Sequence, residues 1–278
     1  GKKILQIKNV DAKTFEKMQA NLIRDKNGIY KVEKDEEKNE FKIVPINAKI
    51  NFKNLKSLDS GYFKDDKNIY YFDEDKFEKI EGADASSFEK VKYSDFYKDK
   101  NYVYYNGKKI VGMDSKDIEN IDEEWSITEL DGTWIKYKDN VYYKGKKLKG
   151  ISSDNFSYFD GGLSYDKILV DKNGIYKFIE TEDNKKTIEV TRLDSKGIDL
   201  ETLERITSPM DSSNYFKDKN GVYFIDGNKF VKINGADKDS FRVTMRGKYG
   251  KDKNNVYFEG KKMEGKNPVD FEEEMEIK

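Results

Sequence analysis

Paired carboxylates are the catalytic chemistry that this composition leaves open. The chain of 278 residues holds 54 Asp and Glu but no His and no Cys. Ser-His-Asp and Cys-His arrangements are therefore excluded, as are Cys/His zinc sites, thiol redox chemistry and disulfides. A carboxylate pair could cleave a glycosidic bond. Acids occur everywhere along the sequence, so nearness in the chain singles out no pair. Two runs collect them, Glu33 to Glu40 and Glu272-Glu273-Glu274. The simplest reading of both is solvated surface, and the other is a weak site for a cation or a basic partner.

The sharper candidate surrounds the two tryptophans, Trp125 and Trp134, with Glu124 and Asp131 among the acids beside them. Acid next to Trp suits a sugar or a cation. It also suits a plug filling an irregular junction between two modules, which is the simpler reading, and the site reading stands beside it. A second irregular stretch runs from Tyr158 to Tyr165 and contains Gly161-Gly162. No motif points to a metal or a cofactor. A calcium loop needs several oxygen ligands alternating over about 12 residues. Asp218-Lys219-Asn220-Gly221 offers two, with a lysine between them.

What must position any such site is a repeat, the dominant feature of the sequence. A Val/Ile-Tyr pair recurs seven times, its tyrosines at 30, 70, 104, 142, 176, 223 and 257. Before it stands a phrase such as Asp99-Lys100-Asn101 or Asp218-Lys219-Asn220-Gly221. Asp and Asn side chains bond their own backbone, and Asn and Gly accept positive φ, so the phrase predicts a hairpin turn. On that reading Asp99→Ala costs only about 1 kcal/mol. Val-Tyr-Tyr supplies a strand, and Asn106-Gly107, Lys144-Gly145, Asp226-Gly227 and Glu259-Gly260 supply the next turn. A third phrase, Gly-x-Asp-x-x-x-Phe, runs from Gly82 to Phe88 and from Gly235 to Phe241. Its Asp can cap one helical turn before the next strand. One unit is then about four short antiparallel strands.

Neighbours in a strand point to opposite faces. Val/Ile and Tyr both recur in all seven units, so both faces of each sheet should be covered. That predicts an all-β chain of stacked sheets, propeller-like as the first choice, with an open hairpin stack as the alternative. The fourth unit departs from the pattern, because Lys138-Asp139-Asn140 has lost one residue. A longer period is also visible. Asp25 to Lys31 matches Asp171 to Lys177, each followed by a longer charged hairpin. This suggests a single repeat domain over 1–278 that arose by duplication, with halves of approximately 1–140 and 141–278.

The sequence Asp99-Lys100-Asn101-Tyr102-Val103-Tyr104-Tyr105, with Gly82-Ala83-Asp84 and Gly235-Ala236-Asp237 as its follow-on, resembles the DKNYY family of bacterial repeat proteins. The resemblance covers nearly the whole chain. It implies repeats that often stand behind an export signal, and no catalytic motif.

Basic and acidic residues balance at 53 against 54, which gives no electrostatic reason to bind nucleic acid or anionic lipid, and no stretch approaches the roughly 20 apolar residues of a membrane span. The opening Gly1-Lys2-Lys3-Ile4 reads as a cut end, as it would after loss of a leader, and a cytosolic chain would look the same. The expectation is a non-enzymatic binding or scaffold protein, exported to the periplasm or cell surface. Its partner would be a protein or a cell-surface polysaccharide. The alternative is a carbohydrate-active enzyme with a carboxylate pair on a propeller-like fold.

Overall fold

A computed structural model describes residues 10–271, apart from 36, 38, 39, 48, 49, 74, 93, 119–132, 162–165, 182–186, 209–211, 245 and 246. The chain is all-β, and seven antiparallel sheets follow one another along it. The first contains Glu16–Lys17, Leu22–Arg24, Ile29–Asp35 and Glu40–Ile46. The second contains Lys56–Ser57, Tyr62–Lys64, Ile69–Asp73 and Lys76–Lys79. The third contains Glu89–Lys90, Tyr97–Lys98, Val103–Tyr105 and Lys108–Lys109. The fourth has three strands among the described residues, Trp134–Tyr137, Asn140–Tyr143 and Lys146–Ser152. The fifth to seventh open at Ser157, Glu204 and Arg242 and each have four strands. Every sheet is a meander in which strands adjacent in sequence pair.

The turn chemistry explains the meander. Asn106-Gly107, Lys144-Gly145 and Glu259-Gly260 have positive φ at both residues, 45° and 73°, 48° and 73°, 46° and 77°. That is the type I′ geometry whose twist matches paired strands. The shortened phrase of the fourth unit folds as a tight turn at Lys138-Asp139, with Lys138 at φ 52°.

The Val/Ile-Tyr pair works back to back. Ile69 packs with Tyr97 and Tyr104 of the third sheet, while its neighbour Tyr70 packs with Leu22 and Ile29 of the first. Val103 packs with Ile135 and Tyr142 of the fourth sheet, and Tyr104 turns back to Tyr62 of the second. Val222 faces the seventh sheet and Tyr223 the fifth. Alternation along a strand thus makes one dipeptide serve two interfaces. By contact density the chain divides into two compact units, Gly1–Tyr137 with Tyr142–Lys147, and Lys138–Val141 with Leu148–Lys278.

The aromatic that follows the pair lies under the next sheet's glycine turn. A Cβ on Gly107 would sit 2.7 Å from Cβ of Tyr71, and one on Gly260 would sit 2.6 Å from Cβ of Phe224. Those neighbouring atoms lie next to the backbone and cannot swing away. Gly107→Ala should therefore cost about 2 kcal/mol or more, against about 1 for Gly235→Ala, which shares positive φ but meets open space. Urea unfolding of the two variants separates the close approach from the backbone term.

Candidate functional site

The aspartate of the repeated phrase is buried at Asp25, Asp65, Asp99, Asp171, Asp218 and Asp252. In the third unit Asp99 is 2 % exposed. Its Oδ1 accepts from the backbone N–H of Asn101 at 2.7 Å and of Tyr102 at 2.8 Å, which closes the turn. Its Oδ2 accepts from the Tyr104 hydroxyl at 2.7 Å and from the backbone N–H of Asp84 at 2.7 Å. One carboxylate thus ties the turn, the core tyrosine and the preceding helical turn together. Asp25 and Asp252 make the same four kinds of bond. The turn-former reading therefore holds but is incomplete. The expected cost of about 1 kcal/mol for Asp99→Ala is too low, because that figure belongs to a cap whose partners water can satisfy.

A second layer completes the tie. Asp84 accepts from the backbone N–H and hydroxyl of Ser87, and the Ser87 hydroxyl accepts from Lys100 N–H. The Lys100 ammonium returns to Asp84 at 2.7 Å. Asp11–Thr14–Lys26, Asp199–Thr202–Lys219 and Asp237–Ser240–Lys253 repeat this arrangement. The Ser or Thr three residues after each Asp was a sequence signal that the Gly-x-Asp-x-x-x-Phe reading passed over.

Charge and burial set the titration of these groups. Burial pushes the Asp25, Asp65 and Asp252 carboxyls up, and the hydrogen bonds they accept more than offset it, holding all three below the usual range. Burial, then the bond to Asp, pushes the Tyr70, Tyr223 and Tyr257 phenols up to about 12. A raised phenol stabilises the fold while it stays protonated. That contribution is complete below the unfolded value of 10.0 and is lost as pH climbs toward 12. Urea midpoints read across this window by circular dichroism should fall steadily from about pH 10 upward, and a flat profile to pH 12 would contradict the network.

The fourth unit replaces the carboxylate by a phenol. The Tyr137 hydroxyl accepts from Asp114 N–H at 3.1 Å and donates to Asp117 Oδ2 at 2.9 Å. It takes the place that Asp99 holds toward Asp84, which accounts for the shortened phrase.

Beside this altered unit lies an open groove of about 710 Å³. The turn residues Lys100 to Tyr102, the segment from Lys109 to Asp114, Lys116 and Tyr137 line it. Tyr102 is 42 % exposed and Val111 92 % exposed. The Lys109 ammonium sits 4.1 Å from the Tyr102 ring centroid. Among the described residues the groove offers an aromatic face, an apolar side chain, three lysines and one carboxylate, Asp114.

The DKNYY family matches residues 31–108 and 215–277, just over half of the chain. The chain belongs to the DKNYY family. Neither the curated proteins nor the solved structures contain a match to it. The DKNYY match takes in most of the last two strands of the first sheet, the second sheet, nearly all of the third, the last three strands of the sixth and the whole of the seventh, and so the turn residues Lys100 to Tyr102 of the groove.

Of the residues singled out around the tryptophans, Trp125, Glu124 and Asp131 lie outside the described residues. Trp134 is buried at 9 % exposure on the first strand of the fourth sheet, and its ring lies 4.4 Å from that of Tyr143. The Glu272 tail and Glu36, Lys38 and Asn39 of the Glu33 to Glu40 run also lie outside the described residues. The groove was not read from the sequence. Its signal was a break in the pattern: where the third unit has Tyr102, other units have Gly28, Asn68, Gly174, Gly221 and Asn255.

Proposed function

We propose that this DKNYY chain is a non-enzymatic binding or scaffold protein, exported to the periplasm or cell surface, that holds a protein or a cell-surface polysaccharide. One observation carries the reading. The repeated carboxylates are turned inward onto backbone N–H groups and tyrosines, while one groove sets the exposed Tyr102 beside Lys109 and Lys116. A glycoside hydrolase needs two carboxyl groups facing the scissile bond, about 5–10 Å apart. Among the described residues the groove contributes Asp114 alone, which favours holding a ligand over cleaving one. Incubation with an array of bacterial and plant polysaccharides tests this. Binding without release of reducing ends supports it. Release of reducing ends makes the chain an enzyme and overturns it.

A further inference from the structure

The groove of the third unit departs from the repeat at two positions that face the same lysine. In the repeat, the core tyrosine pairs across the strands with a cation: Tyr70 with Lys79, Tyr104 with Lys109, Tyr176 with Arg192, Tyr223 with Lys232 and Tyr257 with Lys262. Two residues after that cation the second and seventh units carry an acid that pairs with it, Lys79–Glu81 at 3.3 Å and Lys262–Glu264 at 3.8 Å. In the third unit the acid is replaced by Val111. Lys109 thereby loses its carboxylate and stacks on Tyr102, itself a replacement for Gly or Asn. Neither Lys109 nor Lys116 has a carboxylate partner among the described residues. Lys100 is already held by Asp84.

We propose that this groove binds an acidic oligosaccharide, a sugar ring laid against Tyr102 and Val111 with its carboxylate between Lys109 and Lys116. The inference rests on the binding reading above and gives it a ligand class. A tyrosine face flanked by cations accepts a ring whose C–H face is apolar and whose edge is anionic. The volume of about 710 Å³ lies within the range of small-ligand sites. An acidic peptide is the less favoured occupant. It would need a strand edge to pair with, and the edge here, Lys108–Lys109, is two residues long. A dense polyanion such as nucleic acid meets a chain of net charge −1.

The test uses the whole chain and a tetrasaccharide of alternating glucuronic acid and N-acetylglucosamine. A neutral chito-tetrasaccharide and an acidic octapeptide serve as comparisons. Titration calorimetry at low and high salt should show the acidic sugar binding and weakening with salt. Tyr102→Gly installs the residue found at the same place in three other units, and Val111→Glu installs the acid of the second and seventh, so both variants keep the fold. Each should lower the affinity about tenfold, one by removing the stacking face and the other by occupying Lys109. Equal binding of the neutral sugar, binding of the peptide instead, or affinity unmoved by both variants overturns the proposal but leaves the binding reading standing. Absence of binding by all three probes also overturns the proposal. Cleavage of the tetrasaccharide overturns the binding reading itself.

Discussion

Replacing Val103 by aspartate will unfold the third sheet. Val103 is fully buried and packs among Phe96, Ile110, Met113 and Ile135. An unpaired carboxylate there loses its hydration with nothing to replace it, at a cost of about 4 kcal/mol or more. The damage spreads in both directions along the repeat. Moving the strand displaces Tyr104, which packs against the second sheet, while the Val103 side opens toward the fourth. In a repeat chain stability is close to a sum of local and neighbour terms. Hydrogen exchange should therefore show protection lost in the third sheet and weakened in the second, with the sixth and seventh unchanged. Uniform loss over all seven sheets would contradict this account of neighbour packing.

Removing the Asp99 side chain is the second large effect. Asp99→Ala strands the buried Tyr104 hydroxyl and takes the acceptor from the part-buried backbone N–H groups of Asp84, Asn101 and Tyr102. The expected cost is about 2–3 kcal/mol, because the buried hydroxyl carries about 1 kcal/mol or more and the part-buried donors add to it. Asp99→Asn keeps an acceptor for the turn but offers an amide where the other two donors need an oxygen, and should fall between. Asp139→Ala, in the fourth unit, should cost well under 1 kcal/mol. There Tyr137 holds the equivalent place, and Asp139 receives its bond from Ser153 through its backbone carbonyl. Urea unfolding of the three variants ranks them.

The repeat, the strand content and the glycine turns were legible because each rests on local chemistry: Asx and Gly at the turns, β-branched and aromatic residues in the strands. The two-faced packing was legible because Val/Ile and Tyr are adjacent and both persist. The buried carboxylate was not. Turn preference alone explains an Asp before Lys-Asn, and nothing local demands a bond from Asp84, fifteen residues upstream. The phenol at Tyr137 was hidden for a related reason: the missing residue showed, but its substitute lay on the strand before the turn. Tyr102 was hidden by its own familiarity, since it completes the Asp-Lys-Asn-Tyr phrase. Its exposure becomes visible only when Lys109 and Val111 are seen beside it.

The central claim is that the repeated carboxylate serves the fold by tying turn to core. A double-mutant cycle of Asp99→Ala with Tyr104→Phe, read by urea unfolding, tests it most directly. A coupling of about 1.5 kcal/mol or more between the two sites is the predicted result, the size of a hydrogen bond to a charged partner. Additivity within about 0.3 kcal/mol would show that the bond between them carries no stability and would contradict the claim.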